Sequence, residues 1–406
     1  MAWPRPAATM IAAFALTACA AADMPAAAPA ENPARDARAL HMRLLALDTH
    51  LDTPVNLGRP GWRIADRHDY ASDLSQVDLP RMAEGGLDGG FFVIYTEQGP
   101  LDAAGYARAA DHAWTRVRQI RAMVDGSGGR MALATSAAEI ERQAARGRIV
   151  VLQSIENSYP LGDSVAALAD FHRAGVRLAG PVHNGDNQFA DAASGGRSRH
   201  GGLSALGRQW VAEMNRLGMV IDASHASDAA FDQMLALSRA PIILSHSGPR
   251  AVFDHPRNLD DQRLKALAAR GGVVFVNSIF LAPVDRSPAR QALWAKREAM
   301  DRMDPAEQRA VALEWAALDR LQPYNPATFD QFMASLLHCL KLVGPDHVGI
   351  GADWDGGGGV TGMIDVAALP RITAALRAAG YSDADIKKVW SGNLLRVMRA
   401  AEGAAR

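Results

Sequence analysis

Short apolar runs recur along this chain, and five of the eight end on a residue that can bind a metal ion. Each run is rich in Val, Ile, Leu or Phe and is bounded by polar residues or glycine, a pattern typical of strands that are buried on both faces. The runs predict strands near residues 44–50, 87–95, 149–156, 176–182, 219–224, 241–246, 272–278 and 347–353.

Helical patterns separate these runs, as in the segments 106–124 and 204–218. Glycine stands where several helices should end before the next strand, at Gly175, Gly218 and Gly271. Strand and helix alternate eight times, which predicts an α/β fold of the (β/α)8 TIM barrel type rather than a doubly wound open sheet. No Gly-x-Gly-x-x-Gly motif follows the first run, and this weakens a dinucleotide-binding alternative.

The segment 283–323 separates the last two predicted strands by far more residues than a simple crossover needs. It is charged and rich in helix-forming residues, so we expect a helical insertion between the last two strands of the barrel. Three roles remain open for it: a lid, a dimer contact, or an additional outer helix pair.

The N-terminal segment has the features of an export signal. Arg5 precedes a run of small and apolar residues that is too short to span a bilayer. Residues 16–19, Leu-Thr-Ala-Cys, resemble a bacterial lipobox, which predicts lipidation at Cys19; an ordinary cleaved signal peptide is the alternative. Ala20 after the cysteine favours the outer membrane, with the protein facing the periplasm. We expect a signal peptide over 1–19, an Ala- and Pro-rich tether over 20–38, and the folded domain over 39–402.

Composition narrows the possible functions. The chain has 406 residues, of which 49% are hydrophobic and 21% charged, so a large core is expected. Its formal net charge is -1, and no basic patch is interleaved with aromatic residues, which argues against nucleic acid as a partner. Of the two cysteines, Cys339 is expected to be a buried small hydrophobic residue on a helix.

The first and third runs offer candidate metal ligands. Residues i and i+2 of a strand point to the same side, so His50 and Asp52 would present an imidazole and a carboxylate to one point. Glu156 ends the third run, where burial destabilises a carboxylate unless it is paired or bound to a cation. The alternative for Glu156 is a residue that caps a following helix.

Candidate ligands also end three later runs. His225 and His246 close two consecutive strands, so they should neighbour each other in a barrel. Either histidine alone could be structural; both at equivalent strand ends favour metal binding. Asp353 closes the last run and is the candidate base that takes a proton from a metal-activated water, with Asp355 as the nearby alternative. Other histidines, such as His41, are interpreted as surface or helix residues.

Motifs along the folded part carry a resemblance to a known family. They read DTHLDTP, IENS, GPVHNGDNQFAD, GMVIDASHAS, LSRAPIILSHSGPRAVFDHPRN, DHVGIGADWDG and GNLLRV. In this order they resemble the membrane (renal) dipeptidases of the amidohydrolase superfamily. The resemblance implies a (β/α)8 barrel with two Zn²⁺ ions, other divalent metals being possible.

The resemblance assigns a role to each candidate residue. It implies that one metal is held by His50, Asp52 and Glu156, and that Glu156 bridges to a second metal held by His225 and His246. It further implies that His183 contacts the substrate near the scissile carbonyl, that Arg257 receives the substrate carboxylate, and that Asp353 is the catalytic aspartate. The chain departs from the family in one place: no tyrosine occurs in residues 273–283, where Ile279 or Phe280 fills the space.

The expected function is therefore zinc-dependent hydrolysis of dipeptides with free termini, including L-Xaa-D-Xaa, by attack of a metal-activated hydroxide. Two alternatives remain at this point. One is a different amidohydrolase reaction at the same metals, on lactams, esters or N-acyl amino acids. The other is a lipoprotein that binds peptides without turnover. The expected partners are dipeptide substrates, the membrane through the lipid anchor, and a second copy in a homodimer.

Overall fold

A computed structural model describes residues 1–2, 33–196 and 198–405. Residues 3–19 of the predicted signal peptide, with Cys19, therefore lie outside the described residues. Helix α1 (Pro33–His41) contains the last residues of the segment 20–38 that is predicted to be a tether. Ala37 and Leu40 are buried, so this segment is fixed by apolar contacts of α1 with the body of the protein.

Nine parallel strands lie in the described part of the chain. They are β1 (Leu47–Leu51), β2 (Gly89–Ile94), β3 (Met131–Leu133), β4 (Ile149–Ile155), β5 (Val176–Ala179), β6 (Val220–Ile221), β7 (Ile243–Ser247), β8 (Val273–Val276) and β9 (Val348–Ile350). Each of the eight predicted strands has its counterpart. Sequence analysis missed β3, a three-residue strand that pairs with the first residues of β4.

The strands form two sheets that close into a barrel. One sheet has the order β1-β2-β4-β5-β6, with β3 at the side of β4, and the other has the order β7-β8-β9. Single parallel bridges join them, Asp222 to Ile243 and Leu51 to Trp354. We call these junctions the β6–β7 seam and the β1–β9 seam. Eight strands thus follow one another around a ring in chain order, as predicted for a (β/α)8 barrel.

Fifteen α-helices surround this ring in the described residues. After α1 they are α2 (Tyr70–Asp73), α3 (Leu79–Gly85), α4 (Ala103–Asp125), α5 (Ala137–Ala144), α6 (Ala167–Arg173), α7 (Ala205–Leu217), α8 (Asp228–Leu237), α9 (Asp261–Ala269), α10 (Pro288–Glu298), α11 (Pro305–Leu321), α12 (Phe329–Val343), α13 (Pro370–Ala378), α14 (Asp383–Lys387) and α15 (Asn393–Ala404). None of the described helices is long and apolar enough to cross a membrane.

Helix ends lie where the sequence supplies caps. The side chain of Ser204 accepts a hydrogen bond from the backbone N–H of Gly207 at the start of α7. Gly218 ends the same helix at φ 67°, a left-handed conformation that favours glycine. The polypeptide therefore turns sharply from α7 into β6, which fixes where the strand's carboxyl end emerges.

The segment between β8 and β9 is helical. Helices α10 and α11 pack on each other, and α11 also packs on α2. Trp294, Trp315 and Tyr324 join the two helices in an aromatic cluster with ring centroids 5.2–5.5 Å apart. Helix α12 then packs against both β8 and β9. This segment brings α10 over the carboxyl ends of the strands.

Two side chains in the core compare with their predictions in different ways, one as predicted and one not. Cys339 on α12 is fully buried, as predicted, and burial raises the pKa of its thiol. His41 lies in helix α1 but is not a surface residue, because its side chain is fully buried. Its ring contacts Thr373, the carbonyl of Gly85 and the edge of Trp390, so polar partners accommodate it in the interior.

Candidate metal centre and active site

The predicted ligands and the predicted catalytic residue Asp353 all lie at the carboxyl ends of the strands. His50 belongs to β1 and His246 to β7, whereas the others follow a strand directly or within a few residues. These others are Asp52 after β1, Glu156 after β4, His225 after β6 and Asp353 after β9. The carboxyl ends of a parallel barrel meet at one face, so ligands that are distant in sequence converge there.

Glu156 is the centre of this convergence. Its Oε1 atom lies 3.1 Å from Nε2 of His225 and 3.5 Å from Nε2 of both His50 and His246. Nε2 of His183 is 3.7 Å from the same oxygen. One carboxylate oxygen therefore faces four imidazoles, an arrangement suited to a ligand shared between cations.

The ligand atoms form three overlapping groups, each with members within 4.8 Å of one another. The groups are His50–Glu156–His246, Glu156–His183–His225 and His50–Asp52–Asp353. All five predicted ligands belong to at least one group, together with His183 and Asp353. His246 is grouped with His50 here, and its Nε2 also lies 2.8 Å from Nε2 of His225 and 3.5 Å from Oε1 of Glu156.

The donor atoms fit a divalent cation. Within the described residues, Nε2 of His50 and Oδ1 of Asp52 are buried without a hydrogen-bond partner. Nε2 of His225 and Nε2 of His246 are 2.8 Å apart. Buried polar atoms are normally satisfied, and imidazole and carboxylate together are the donor set of zinc sites. A bound metal ion would provide a partner for all of these buried nitrogen and oxygen atoms.

The charges of the site residues also favour the binding of a cation. Burial opposes protonation of His50, but the Asp52 and Glu156 carboxylates outweigh it and raise its pKa well above the usual value. Burial opposes ionisation of Glu156, yet His183 and His50 hold its pKa well below the usual range. In contrast, burial lowers the pKa of His225 far below its ordinary value. His225 is therefore neutral, as metal binding requires, whereas the carboxylates draw a proton to His50, whose positive charge a bound cation would replace.

Asp353 and Asp355 differ in their surroundings. Burial, with the nearby carboxylates of Asp52 and Glu156, raises the pKa of Asp353 well above its usual value. Asp355 instead uses both oxygens in hydrogen bonds, accepting from Thr53 Oγ1 at 2.7 Å and from a backbone N–H at 2.7 Å. Asp353 is thus the aspartate that remains available for proton transfer.

Three site residues have left-handed backbone conformations. They are His225 at φ 67°, Asp353 at φ 65° and Asp355 at φ 66°. Such angles are uncommon for residues other than glycine and cost free energy, so they persist where surrounding contacts determine the conformation. They occur here at the two strand ends that adjoin the seams of the barrel.

His183 and Arg257 both border the ligand cluster. His183 borders the cavity, with its ring centroid 4.2 Å from that of His225. Arg257 is only 2% exposed and donates from Nη2 to the carbonyl of His246 at 3.2 Å. Its Nε has no partner within the described residues, and burial lowers its pKa to about 10. Arg257 is therefore a buried cation with unused donor capacity.

A cavity of about 1210 Å³ opens above the ligands. Its wall includes Asp52, Glu156, His183, His225 and Asp353. Ile279 and Phe280, which occupy the place of the absent family tyrosine, also line it. Phe280 has φ 57° and its ring lies 5.5 Å from Cζ of Arg257, so this residue separates the guanidinium from the open cavity. Three tyrosines reach the wall from elsewhere, Tyr95, Tyr159 and Tyr324.

Sequence analysis missed the residues that support the ligands from behind. Asp48 and Asp222 lie in the same apolar runs as ligands, and both are almost completely buried. Ser245 precedes His246 and contacts its ring nitrogen Nδ1 at 2.8 Å. The available signal was a carboxylate inside an apolar run, which must find partners when buried. The same argument predicts partners for a carboxylate inside a run as well as for one that ends it.

Comparisons with known proteins agree with this geometry. The profile of the membrane dipeptidase family, peptidase family M19, matches residues 34–406. Dipeptidase tcpJ of Claviceps purpurea is 30% identical over 351 residues, which cover 85% of this chain and 74% of that protein. Among solved structures, the probable dipeptidase PvdM of Pseudomonas aeruginosa is 32% identical with a TM-score of 0.78, covering 92% of this chain and 99% of that one.

A second solved structure carries a ligand. It is a metallopeptidase of Rhodobacter sphaeroides bound to a phosphinate mimic of the dipeptide L-Ala-D-Ala. It is 26% identical to this chain, with a TM-score of 0.70, and the match covers 88% of this chain and 99% of that one.

Fold and site together define a metal-dependent hydrolase of the amidohydrolase type. Within that class, the chain belongs to the membrane dipeptidase family, since the family profile spans nearly all of its described residues. It is accordingly a metallopeptidase that hydrolyses dipeptides.

Proposed function

We propose that this enzyme uses two zinc ions to hydrolyse dipeptides that have a free C-terminal carboxylate, including those of the L-Xaa-D-Xaa type. The observation that carries the proposal is the convergence of His50, His225 and His246 on one oxygen of Glu156, beside a buried arginine. The L-Ala-D-Ala mimic bound by the Rhodobacter relative supports the choice of substrate.

Five residues would hold the metals: His50, Asp52, Glu156, His225 and His246. When bound, zinc supplies Lewis-acid chemistry, which activates water and polarises a carbonyl group. Glu156 would be central to this set, because its Oε1 lies within 3.5 Å of Nε2 of His50, His225 and His246.

Asp353 would act as the proton carrier. Its carboxylate borders the same group of atoms as His50 and Asp52, at the wall of the cavity. The raised pKa of Asp353 lets it hold a proton taken from the attacking water and then transfer that proton to the leaving amine.

His183 would stabilise the negative charge that develops on the carbonyl oxygen. Burial lowers the pKa of His183, so the ring is neutral near pH 7 and keeps one N–H to donate. Such a donor contributes roughly 3–4 kcal/mol to transition-state stabilisation.

Arg257 would bind the C-terminal carboxylate of the substrate. A guanidinium presents two parallel N–H donors to a carboxylate, which a lysine ammonium cannot do. Because Phe280 lies between Arg257 and the cavity, we expect its ring to shift when a dipeptide binds.

A substrate panel combined with metal analysis tests the proposal. Purified enzyme should contain about two zinc ions per chain, lose activity to a chelator and regain it with Zn²⁺. L-Ala-L-Ala and L-Ala-D-Ala should be cleaved faster than N-acetyl-alanine or a lactam. Faster cleavage of the N-acyl compound would favour a different amidohydrolase reaction, and chelator-resistant turnover would contradict the metal mechanism.

The Arg257→Lys variant tests the recognition of the free carboxylate. For dipeptides we expect kcat/KM to fall roughly 10- to 100-fold, mainly through KM, as the two-pronged contact is lost. The matched control is the same dipeptide with a C-terminal amide, for which the variant and the wild type should differ little. An equal loss on both substrates would show that Arg257 serves the structure and not the carboxylate.

We also propose that Cys19 is lipidated, that the enzyme faces the periplasm from the outer membrane, and that it forms a homodimer. The lipobox-like residues 16–19 and the family resemblance support these proposals. After cell lysis, a Cys19→Ser variant should be found in the soluble fraction and not in the membrane fraction. Sedimentation of the purified enzyme should give twice the mass of one chain. Retention of the variant in membranes, or a monomeric mass, would contradict them.

A further inference from the structure

We propose that Asp222 and Ser245 form a positioning relay that fixes the ring orientation and tautomer of His246 for metal binding. The inference rests on the proposed function, because it concerns a residue that would hold a metal. Neither Asp222 nor Ser245 has a part in the hydrolytic mechanism described above.

The relay is a chain of two short hydrogen bonds. Oγ of Ser245 lies 2.5 Å from Oδ2 of Asp222 and 2.8 Å from Nδ1 of His246. The Ser245 hydroxyl donates its hydrogen to this carboxylate oxygen of Asp222. Its oxygen then accepts a hydrogen bond from Nδ1–H of His246. The proton on Nδ1 leaves Nε2 with a free lone pair.

Nε2 of His246 is the atom directed at the metal centre. It lies 3.5 Å from Oε1 of Glu156 and 2.8 Å from Nε2 of His225. A metal ligand must offer its lone pair, and the hydrogen bond made by the other ring nitrogen decides which nitrogen does so. The relay therefore selects the tautomer that can bind a metal.

Asp222 is itself held rigidly. Its Oδ1 accepts from the backbone N–H groups of Ser224 and Ser245, both at 2.9 Å, and its side chain is almost completely buried. These bonds join the ends of β6 and β7 at the β6–β7 seam. They also fix which oxygen faces Ser245, since Oδ1 is occupied by backbone donors.

The same hydroxyl borders a second ligand. Oγ of Ser245 is 3.5 Å from Nδ1 of His50, and the rings of His50 and His246 pack with centroids 3.7 Å apart and an angle of 33° between their planes. Holding His246 in place thus limits the position of His50 as well. One buried hydroxyl acts on two of the proposed ligands.

Two substitutions interrupt the relay in different ways. Ser245→Ala removes the acceptor for Nδ1–H, and the loss of such a supporting partner typically lowers metal affinity about 10- to 100-fold. Asp222→Asn preserves shape but places an amide NH₂ opposite Ser245, because Oδ1 must still accept two backbone N–H groups. The hydroxyl must then donate to Nδ1 of His246, which moves the ring proton to Nε2. We expect Asp222→Asn to bind metal less tightly than Ser245→Ala.

Thr49→Val is the matched control. The Thr49 hydroxyl is equally buried and donates to the backbone carbonyl of Ser245 at 2.6 Å, not to an imidazole. This variant should lose stability, as followed by urea unfolding, while its zinc affinity changes less than about 3-fold. Ser245→Thr, which keeps the hydroxyl, should restore affinity to within the same range.

The measurements are zinc affinity, by competition with a chromophoric chelator, and the visible absorption spectrum of the Co²⁺-loaded protein. The proposal is supported if affinity falls in the order wild type, Ser245→Ala, Asp222→Asn and the Co²⁺ spectrum changes in both variants. Wild-type affinity and spectra in both variants would overturn the relay alone. A wild-type protein that binds neither ion would overturn the relay and the proposed function together. Asp222→Asn keeps the test valid if Ser245→Ala does not fold.

Discussion

Two aspartates stand two residues apart after β9, and their hydrogen bonds separate their roles. Asp355 accepts from Thr53 Oγ1 and from the backbone N–H of Gln76, so it ties the residues after β1 to those after β9. Asp353 shares its group of atoms with His50 and Asp52 at the cavity wall. A carboxylate with a structural role and a carboxylate that is available for proton transfer are thus separated by a single residue in the sequence.

We expect Asp353→Asn and Asp355→Asn to affect different properties. Asp353→Asn should lower kcat by roughly 10²- to 10⁴-fold with little loss of bound zinc, because an amide cannot carry the proton. Asp355→Asn should cost about 1–3 kcal/mol of unfolding free energy through its lost hydrogen bonds, and kcat should fall less than about 10-fold. Kinetics, metal content and urea unfolding of both variants check this. A collapse of metal content in Asp353→Asn would identify Asp353 primarily as a ligand.

At the level of single residues, the sequence predicts the ligands better than their supports. A carboxylate or imidazole that ends a buried strand needs a partner, so Glu156 and His225 could be identified from their positions. Ser245 could not, because a serine beside a ligand has no feature that distinguishes it from any other buried serine. The burial of Arg257 behind Phe280 depends on loop conformation, which the apolar pattern does not encode.

Among the elements, the carboxyl ends of the strands combine two functions. At the β1–β9 seam, Asp48 accepts from the backbone N–H groups of His50 at 2.8 Å and Ala352 at 3.1 Å. At the β6–β7 seam, Asp222 accepts from those of Ser224 and Ser245. Aspartate side chains therefore replace ladder hydrogen bonds where the two sheets meet, beside the ligands. The hydrogen bonds that close the barrel at these two seams therefore also position the proposed metal ligands.

The burial and pairing of the strands explain why the sequence predicts some of them fully and others only in part or not at all. Strands that are buried on both faces, such as β4, give continuous apolar runs. Strand β6 was predicted over 219–224 but comprises only Val220–Ile221, because Asp222 takes over the pairing with β7 through its side chain. Strand β3 has three residues and lies beside the ring, so its run is too short to recognise.

The turn after β9 tolerates no side chain at Gly356. A Cβ atom there would lie 2.0 Å from Oδ2 of Asp52 and 2.3 Å from Oδ1 of Asp353. We expect Gly356→Ala to displace both carboxylates and to lower zinc affinity and kcat each by at least about 10-fold. Metal titration and dipeptide kinetics measure the effect.

Gly403→Ala provides the control for this substitution. Gly403 lies in α15, and a Cβ atom there would have no neighbour within 4 Å. Alanine should leave activity unchanged and stabilise the helix by about 0.5–1 kcal/mol. Wild-type zinc affinity in Gly356→Ala would mean that the turn can move away from the ligands, contrary to the close packing described here.

At the scale of the whole molecule, His41 joins helix α1 to the body of the protein. Trp390 Nε1 donates to Thr373 Oγ1 at 2.9 Å, the Thr373 hydroxyl donates to Nδ1 of His41 at 2.8 Å, and Nε2–H of His41 donates to the carbonyl of Gly85 at 2.7 Å. This network requires a neutral ring. Burial, aided by the charge of Arg38, lowers the pKa of His41 to about 4.

We therefore expect His41 to make stability depend on pH. Below its ordinary pKa near 6.5 the unfolded chain binds a proton at His41, whereas the folded protein does not until about pH 4. Stability is thus lost as pH falls from about 6.5 to 4, by about 2 kcal/mol between pH 7 and pH 5. Urea unfolding of the chelator-treated protein at these two pH values, compared with His41→Gln, measures this contribution. Treatment with a chelator prevents pH-dependent loss of metal from contributing to the difference.

The His41→Gln variant should be less stable than the wild type at pH 7, because its amide reproduces only part of the hydrogen-bond chain from Trp390 to Gly85. Its decline in stability between pH 7 and pH 5 should be about 2 kcal/mol smaller, since all other titrating groups are common to both proteins. Parallel declines would mean that α1 opens before the ring is protonated. In that case α1 would be only loosely attached to α13, contrary to the buried contacts of Ala37 and Leu40.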